Sequence, residues 1–374
     1  MEYFPQINLL LEALSYLGRR AAGHTAEDIL ERLRSRGVTD LDSFRRQLQP
    51  FSALMERLEE LVTISPEALQ ALFGNLPGFS YNTIGSASPA FLLFFPMTFF
   101  YDGDFDKLLK RMRSLSPESL ANYLAISLGV ADEQPGRAEL AGDELTARVL
   151  ALSIPAESKV AILDLYHHAE RVLEEAAVYL RLTLEALALE QGTLERICED
   201  FSAELRKTGL ENFLSKTSAL SSRPDLPYQI HPFLFGLDTN LSLGPPDGEG
   251  TVQLYCGIYR GTLQALLSAA SGPEYEVYRA IKLLGDRTRF DILCYLRDRK
   301  AYGQELSAKF GLSRNTIHHH MSKMLAARLV CCTVDGNRVY YTVDKESVNL
   351  LMERQRSLLI GKSFGRSLSQ DGER

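Results

Sequence analysis

At 374 residues, 45% of them apolar and 24% charged, the chain is too long for one hydrophobic core of ordinary size and too apolar to be disordered, so two domains are expected. The net charge of −7 hides an asymmetry: from Pro273 onward 18 Lys+Arg stand against 12 Asp+Glu, giving +6, whereas the remainder is −13. A polyanion would attract the C-terminal part and be repelled by the rest, and the greasiest run, Ala90 to Tyr101 with Pro96 inside it, falls far short of the roughly 20 apolar residues that cross a bilayer.

The opening MEYFPQINLLLEALSYL carries Glu2 at its front and neither a basic leader nor a small-residue cleavage site, so secretion is not expected. The five cysteines are odd in number and lack CxxC pairing, which fits a reducing, cytoplasmic setting. The first 220 residues read as helix after helix, punctuated at Gly37, Pro50, Pro66, Pro77, Pro89, Pro117, Pro135 and Pro155. Ala90–Tyr101 reads as core. Glu157 to Glu190 reads as one long helix, a scaffold or dimer element, with Val160, Leu163, Leu165, Ala169, Val172, Ala176, Leu180 and Leu184 as its apolar stripe. At Ser221 the composition turns to Pro, Gly and turn formers, followed by the strand-like TVQLYCGIYR, so a small β element is placed at about 226–262. The linker Ser271-Gly272-Pro273 then closes an N-terminal domain of residues 1–272.

Residues 273–360 form the second domain, with 361–374 a polar, disordered tail. Helices are expected at 274–284, with Tyr275, Tyr278 and Ile281 on one side, and at 287–299, with Phe290, Leu293, Cys294 and Leu296 facing a core and Asp286 as N-cap. Two more, 304–310 and 314–327, are joined at Gly311 with helix-turn-helix spacing. Gly311 can take the left-handed conformation that ends one helix, Ser313 can cap the next, and Leu312 with Ile317 suits a hydrophobic staple. On the last of these helices Ile317, Met321, Met324 and Leu325 cluster on a packing side. Asn315, His318, His319 and Ser322 share the other side, with Lys323 adjacent and no acid between Ser313 and Ala327. Such a face can enter a major groove, Asn315 reading adenine and Arg314 and Lys323 reaching phosphates or guanine; a solvated face lacking acids is the bland alternative. The β-rich runs 329–334 and 338–343, joined by Asp335-Gly336-Asn337, predict a wing with Arg338 at its base, and 345–360 is helical again.

Residues 276–345 resemble the ArsR family of winged-helix repressors, on LGDRTRFDILCYL, QELSAKFGLSRNTIHHHMSKMLAARLV and DGNRVYYTV. The family pattern S-x-x-T-V-S-x-H-L appears as Ser313, Thr316, Ile317, His318, His320 and Met321, with His318 in place of the usual Ser. The resemblance implies a DNA-binding set of Ser313, Arg314, Asn315, Thr316, His318, His319, Ser322, Lys323 and Arg338. It also implies dimerisation through the module's first and last helices, on an inverted repeat with recognition helices one DNA turn apart. The apolar stripes of 275–284 and 348–358 suit such an interface or an intramolecular core equally.

The fold class expected is therefore mainly α: a large N-terminal helical domain with a small β element, then an α+β winged helix-turn-helix. Metal sensing of the family's usual kinds is not expected, because Tyr302 and Gln304 stand where a C-x-C pair would be and residues 345–360 contain no His. The consecutive histidines 318–320 and 167–168 lack the i, i+4 spacing of helical chelation. Cys331-Cys332 open the wing, where a redox switch competes with one inert buried thiol. No phosphate loop, dinucleotide turn, HExxH or GxSxG is present, so an enzyme is not expected, nor a cofactor; Glu174-Glu175 read as helix solvation. The leading function is a dimeric regulator, in the family's manner a repressor, binding double-stranded DNA. Its N-terminal domain either takes a small-molecule effector, with Phe91–Tyr101 and TVQLYCGIYR as pocket or core, or docks a protein partner; a protein-interaction module that keeps only the winged-helix shape is the alternative.

Overall fold

The structure is a computed structural model that describes residues 2–79, 87–130, 140–152, 154–209, 227–243, 250–270, 273–312, 317, 320–321, 323–325, 327, 329–335 and 338–361. Side chains at 2, 208, 242, 268, 273–276, 279, 332–335 and 338–339 are outside the description. The chain divides into two compact units, Met1–Ser35 with Thr39–Ala265, and Arg36–Val38 with Leu266–Arg374.

The first unit is helical, with a small sheet. Its helices are α1 (Leu9–Ala21), α2 (Ala26–Arg34), α3 (Asp42–Leu61), α4 (Pro66–Phe73), α5 (Pro89–Phe94), α6 (Phe105–Arg113), α7 (Pro117–Ser127), α8 (Gly142–Ala151), α9 (Ala156–His167), α10 (Ala169–Leu189) and α11 (Gln191–Thr208), with a 3-10 turn at Phe95–Phe100; α12 (Arg260–Ala270) begins in this unit and its last five residues are assigned to the second. The prolines act as starters: Pro66, Pro89 and Pro117 each open a helix behind Ser65, Ser88 and Ser116, whose hydroxyls cap free backbone N–H groups. Pro50 corrects the expected break, because α3 runs straight through it. The stripe Phe44, Leu48, Phe51, Leu54, Met55 and Leu58 buries that helix on both sides of the proline, and this packing outweighs one missing backbone bond. Pro135 lies outside the described residues.

The core centres on α1, buried all round from Leu10 to Arg19, which packs on α4, α5 and α10. Ala90–Met97 belongs to this core, with the Phe91 and Phe95 rings stacked at 4.8 Å, so Phe91 and its neighbours up to Met97 are packing residues rather than pocket lining. The expected long helix 157–190 is two helices that break at His168, whose φ of −124° is not helical. The break resets the helical phase: Val172, Ala176, Leu180 and Leu184 are buried as the stripe demands, whereas Val160 is 66% exposed. Glu174 is exposed and chelates the Arg113 guanidinium at 2.8 and 3.0 Å.

The sheet of this unit has the order β1-β2-β4-β3, built from Glu2–Tyr3, Tyr228–Phe233, Asn240–Leu243 and Val252–Gly257. β1 and β4 flank β2 in parallel and β3 runs antiparallel to β4. The two-residue β1 was not foreseen, being too short to show an alternation. The turn after β2 is held by Glu12 of α1, whose buried carboxyl accepts from the Leu234 and Phe235 N–H groups at 2.8 and 2.9 Å.

The second unit has helices α13 (Pro273–Leu284), α14 (Arg287–Leu296), α15 (Gly303–Phe310) and α16 (Lys345–Ile360), and an antiparallel sheet in the order β5-β7-β6 from Ala301–Tyr302, Val330–Asp335 and Arg338–Val343. Helical residues at 317, 320–321 and 323–325 complete it. Among the described residues no helix is long and apolar enough to cross a membrane.

Candidate nucleic-acid interface

Asp286 caps α14 as its sequence position predicts, accepting from the Arg289 N–H at 3.0 Å. Arg289 folds back over the same corner, its Nε donating to the Leu283 carbonyl at 2.6 Å and its Nη1 3.4 Å from the Asp286 carboxylate. That locks the turn between α13 and α14. The face of α14 differs from expectation: Ile292 and Leu296 are buried, whereas Phe290 is 47% exposed and Cys294 is exposed. The helix is three residues shorter than the expected 287–299, and its wheel points Ile292 rather than Phe290 at the core.

The helix-turn-helix geometry follows from a few local bonds. In α15 the Glu305 carboxylate accepts from the Tyr302 N–H at 3.1 Å, one half of a capping box. Gly311 ends the helix at φ 65° and ψ 29°, the left-handed conformation that a side chain disfavours. Beyond it the Leu312 N–H donates to the Ser307 carbonyl at 3.2 Å and the Ser307 hydroxyl donates to the Leu312 carbonyl at 2.5 Å, so the turn is stitched twice.

The following helix is pinned by one face. Ile317, Met321 and Met324 are at most 1% exposed and join Ile292, Leu296 and Leu306 in one core, with Leu312 and Leu325 packed at its margin. This is the side expected to pack. Lys323 is exposed on the same helix. His320 is half-buried; burial holds its imidazole below the ordinary value, while the nearby Asp286 carboxylate pulls the other way and Arg289 and Lys323 add to the lowering. His320 therefore lies within electrostatic reach of the α13–α14 corner, which the sequence reading had only as a packed His and a cap. Arg289 was missed; its place three residues after a capping Asp was the available signal.

Of the expected DNA-binding residues, Ser313, Arg314, Asn315, Thr316, His318, His319 and Ser322 lie outside the described residues, leaving Lys323 and the backbone of Arg338 placed. Arg338 begins β7 directly opposite Asp335 of β6, with two residues between the strands, so its backbone stands at the tip of the wing and not at the base where the sequence reading put it. Cys331 is exposed with its sulfur 3.1 Å from the Thr342 hydroxyl, and the Cys332 side chain lies outside the description. Lys300 flanks the wing, its ammonium 4.5 Å from the Tyr340 ring centroid, and the neighbouring Arg299 guanidinium lies 4.6 Å from the Tyr295 ring centroid on α14. These were not singled out from sequence, where they appear only as a dibasic end of a helix. Among the described residues no three His, Cys, Asp or Glu side chains are grouped as metal ligands.

The first and last helices of the unit, α13 and α16, pack against each other. Val277 and Ala280 take the inner side of α13, and Tyr278 and Ile281, expected to share an apolar side with Tyr275, are 57% and 43% exposed. On α16 Leu350, Leu358, Leu359 and Ile360 are exposed too.

The family described as "Bacterial regulatory protein, arsR family" matches residues 286–331. The chain is also similar to the HTH-type transcriptional regulator KmtR of Mycobacterium tuberculosis, 32% identical over 76 residues that make 20% of this chain and 58% of that one. It is 34% identical over 70 residues to the HTH-type transcriptional regulator CmtR of Mycobacterium bovis, covering 19% and 59% respectively, and to the same degree to CmtR of Mycobacterium tuberculosis. The chain thus spans under three fifths of the length of the curated relatives it matches. The motifs, the pinned second helix and the paired wing strands agree with that match: over residues 286–331 this chain is similar to the helix-turn-helix of the bacterial ArsR regulatory family, and the family match does not reach the helical unit before it.

Proposed function

We propose that the chain is a sequence-specific DNA-binding transcriptional regulator, acting as a repressor, that grips an inverted-repeat operator as a homodimer through helix 313–327 and wing 329–343. The observation that carries this reading is the helix with Ile317, Met321 and Met324 buried and Lys323 exposed, which fixes one side to the core and leaves the other to a partner. A groove-reading helix needs that arrangement, because base edges tolerate little misplacement. The positive balance of residues 273–374, +6, supports a polyanionic partner. Homodimer formation is supported by the exposed apolar residues of α13 and α16, which would bury one another across a two-fold axis.

In this reading the set Ser313, Arg314, Asn315, Thr316, His318, His319, Ser322, Lys323 and Arg338 contacts DNA, Asn315 and the histidines at base edges and the cations at phosphates. The helical unit of roughly the first 270 residues receives the input and shifts the fit of the two winged helices. The family's C-x-C metal site is not that input in this reading, since Tyr302 and Gln304 offer no sulfur at its two positions.

Selection of random duplexes on the full chain tests this. Enriched sequences should contain two inverted half-sites with centres about 10 base pairs apart. Enrichment of no motif, with retention set by salt alone, would reduce the module to non-specific binding; no retention at any salt would favour a protein-interaction module that has the winged-helix shape without its partner.

A further inference from the structure

A groove of about 840 Å³ lies in the first unit, walled by α3 and α11 and closed at one end by Ile258, Tyr259 and Thr262. Its volume falls among those of small-molecule sites. The two helices run antiparallel along it. Arg57, near the end of α3, bonds Glu190 at the start of α11 at 2.9 Å. At the other end the Tyr259 hydroxyl donates to the Gln47 carbonyl near the start of α3 at 3.1 Å, and the Tyr259 phenol, raised chiefly by burial, also feels the charge of Asp200 further along α11.

The floor is apolar, from Leu54, Ile197, Phe201 and Ile258, each at most 7% exposed. The charges along the rim are sorted by sign. Groove-lining residues of α11 recur at 193, 196, 197, 200, 201 and 204, a single helical stripe. At its start stands Arg196, which reaches back to the Gly192 carbonyl at 3.1 Å and the Thr193 hydroxyl at 3.3 Å, beside the Arg57–Glu190 pair. Because Glu190 already balances Arg57, this end keeps one net positive charge. Asp200 stands one turn beyond Arg196 and Glu204 one turn further, so the acidic charges of the stripe lie towards its far end.

We propose that this groove binds a small zwitterion whose ammonium and carboxylate are held apart by an apolar body, with the dimensions of a tripeptide with free ends. The carboxylate meets Arg196, the ammonium meets Asp200 and Glu204, and the body lies on Leu54, Ile197 and Ile258. Arg196 and Glu204 are eight positions apart, a rise of about 12 Å, and an extended tripeptide spans about 10 Å. A simple cation would be repelled at one end and a simple anion at the other, whereas a ligand carrying both charges satisfies both ends. The site stands apart from the reading of the C-terminal unit, since every lining residue belongs to the first.

Calorimetric titration of the full chain with alanyl-leucyl-alanine tests it, without DNA present. The free peptide should bind once per chain, and N-acetylation or C-amidation should each weaken it about fivefold to tenfold, as loss of one charge-assisted contact does. In Arg196→Gln the C-terminal amide should cost nothing further, and in Asp200→Asn with Glu204→Gln the acetyl group should cost nothing further. No binding of the free peptide, equal binding of the doubly blocked peptide, or tighter binding of the amide than of the free acid would each overturn the proposal, the last by making the groove a site for amines. The blocked peptides test it on the unsubstituted chain, so misfolding of a variant cannot decide the result.

Discussion

Glu12 sits in the middle of LLLEALSYL, fully buried, and its carboxyl is pushed up to about 8 by burial, partly offset by the two N–H groups it accepts from. In the unfolded chain it titrates near pH ~4.3. The folded chain therefore holds a proton that the unfolded chain has released across this window, and stability falls as pH rises from about 5 through about 8. Glu12→Gln keeps the shape and removes the titration, so its melting temperature should change less between pH 5 and 9 than that of the native chain; identical profiles would show that Glu12 is not the titrating group. The turn that Glu12 holds has a second constraint. Leu237 adopts φ 48°, and a Cβ on Gly257 would lie 2.4 Å from the Leu237 carbonyl oxygen. Gly257→Ala must displace backbone there and is expected to cost about 1–3 kcal/mol, measured by denaturant unfolding. An acid inside an apolar run was visible in the sequence; that its partners are the N–H groups of residues 234 and 235 was not, because more than two hundred residues intervene.

At the scale of elements, the helix-turn-helix was legible because its determinants are local: Gly311 ends a helix, Asp286 starts one, and apolar spacing picks out Ile317, Met321 and Met324. What was not legible depended on tertiary packing. Pro50 is overridden by a buried stripe on both sides, and the 157–190 periodicity spans a break at His168 that composition does not mark. Phe290 and Cys294 were assigned inward, yet only a rotation of the wheel separates them from Ile292, and a ten-residue helix leaves that choice to its neighbours. Met324→Ala should destabilise the chain by about 2–5 kcal/mol, since Met324 is fully buried in the core that pins this helix. A loss below about 1 kcal/mol in denaturant unfolding would mean that the helix is not anchored there.

For the whole molecule, the charge asymmetry read from composition follows the division of labour proposed here, an acidic helical unit in front of a basic reading module. Composition could not locate the groove, because its two walls, α3 and α11, lie some 140 residues apart in the chain. Homodimer formation has its own test: Ile281→Glu with Leu359→Glu places charge on exposed apolar positions of α13 and α16, and light scattering should show the native chain at twice the mass of the variant. Equal masses would move the interface elsewhere or remove it.

The central claim is that the helix pinned by Ile317, Met321 and Met324 reads DNA. Fluorescence anisotropy of a selected duplex against a scrambled one, across a salt series, tests it most directly, using the full chain and the Arg314→Ala, Asn315→Ala double variant. The account predicts that affinity for both duplexes falls steeply with salt, and that the native chain prefers the selected duplex by at least about a hundredfold. The double variant should keep the scrambled-duplex affinity within about tenfold and lose most of that preference. A preference that survives the double substitution intact would contradict it, placing sequence recognition somewhere other than this helix.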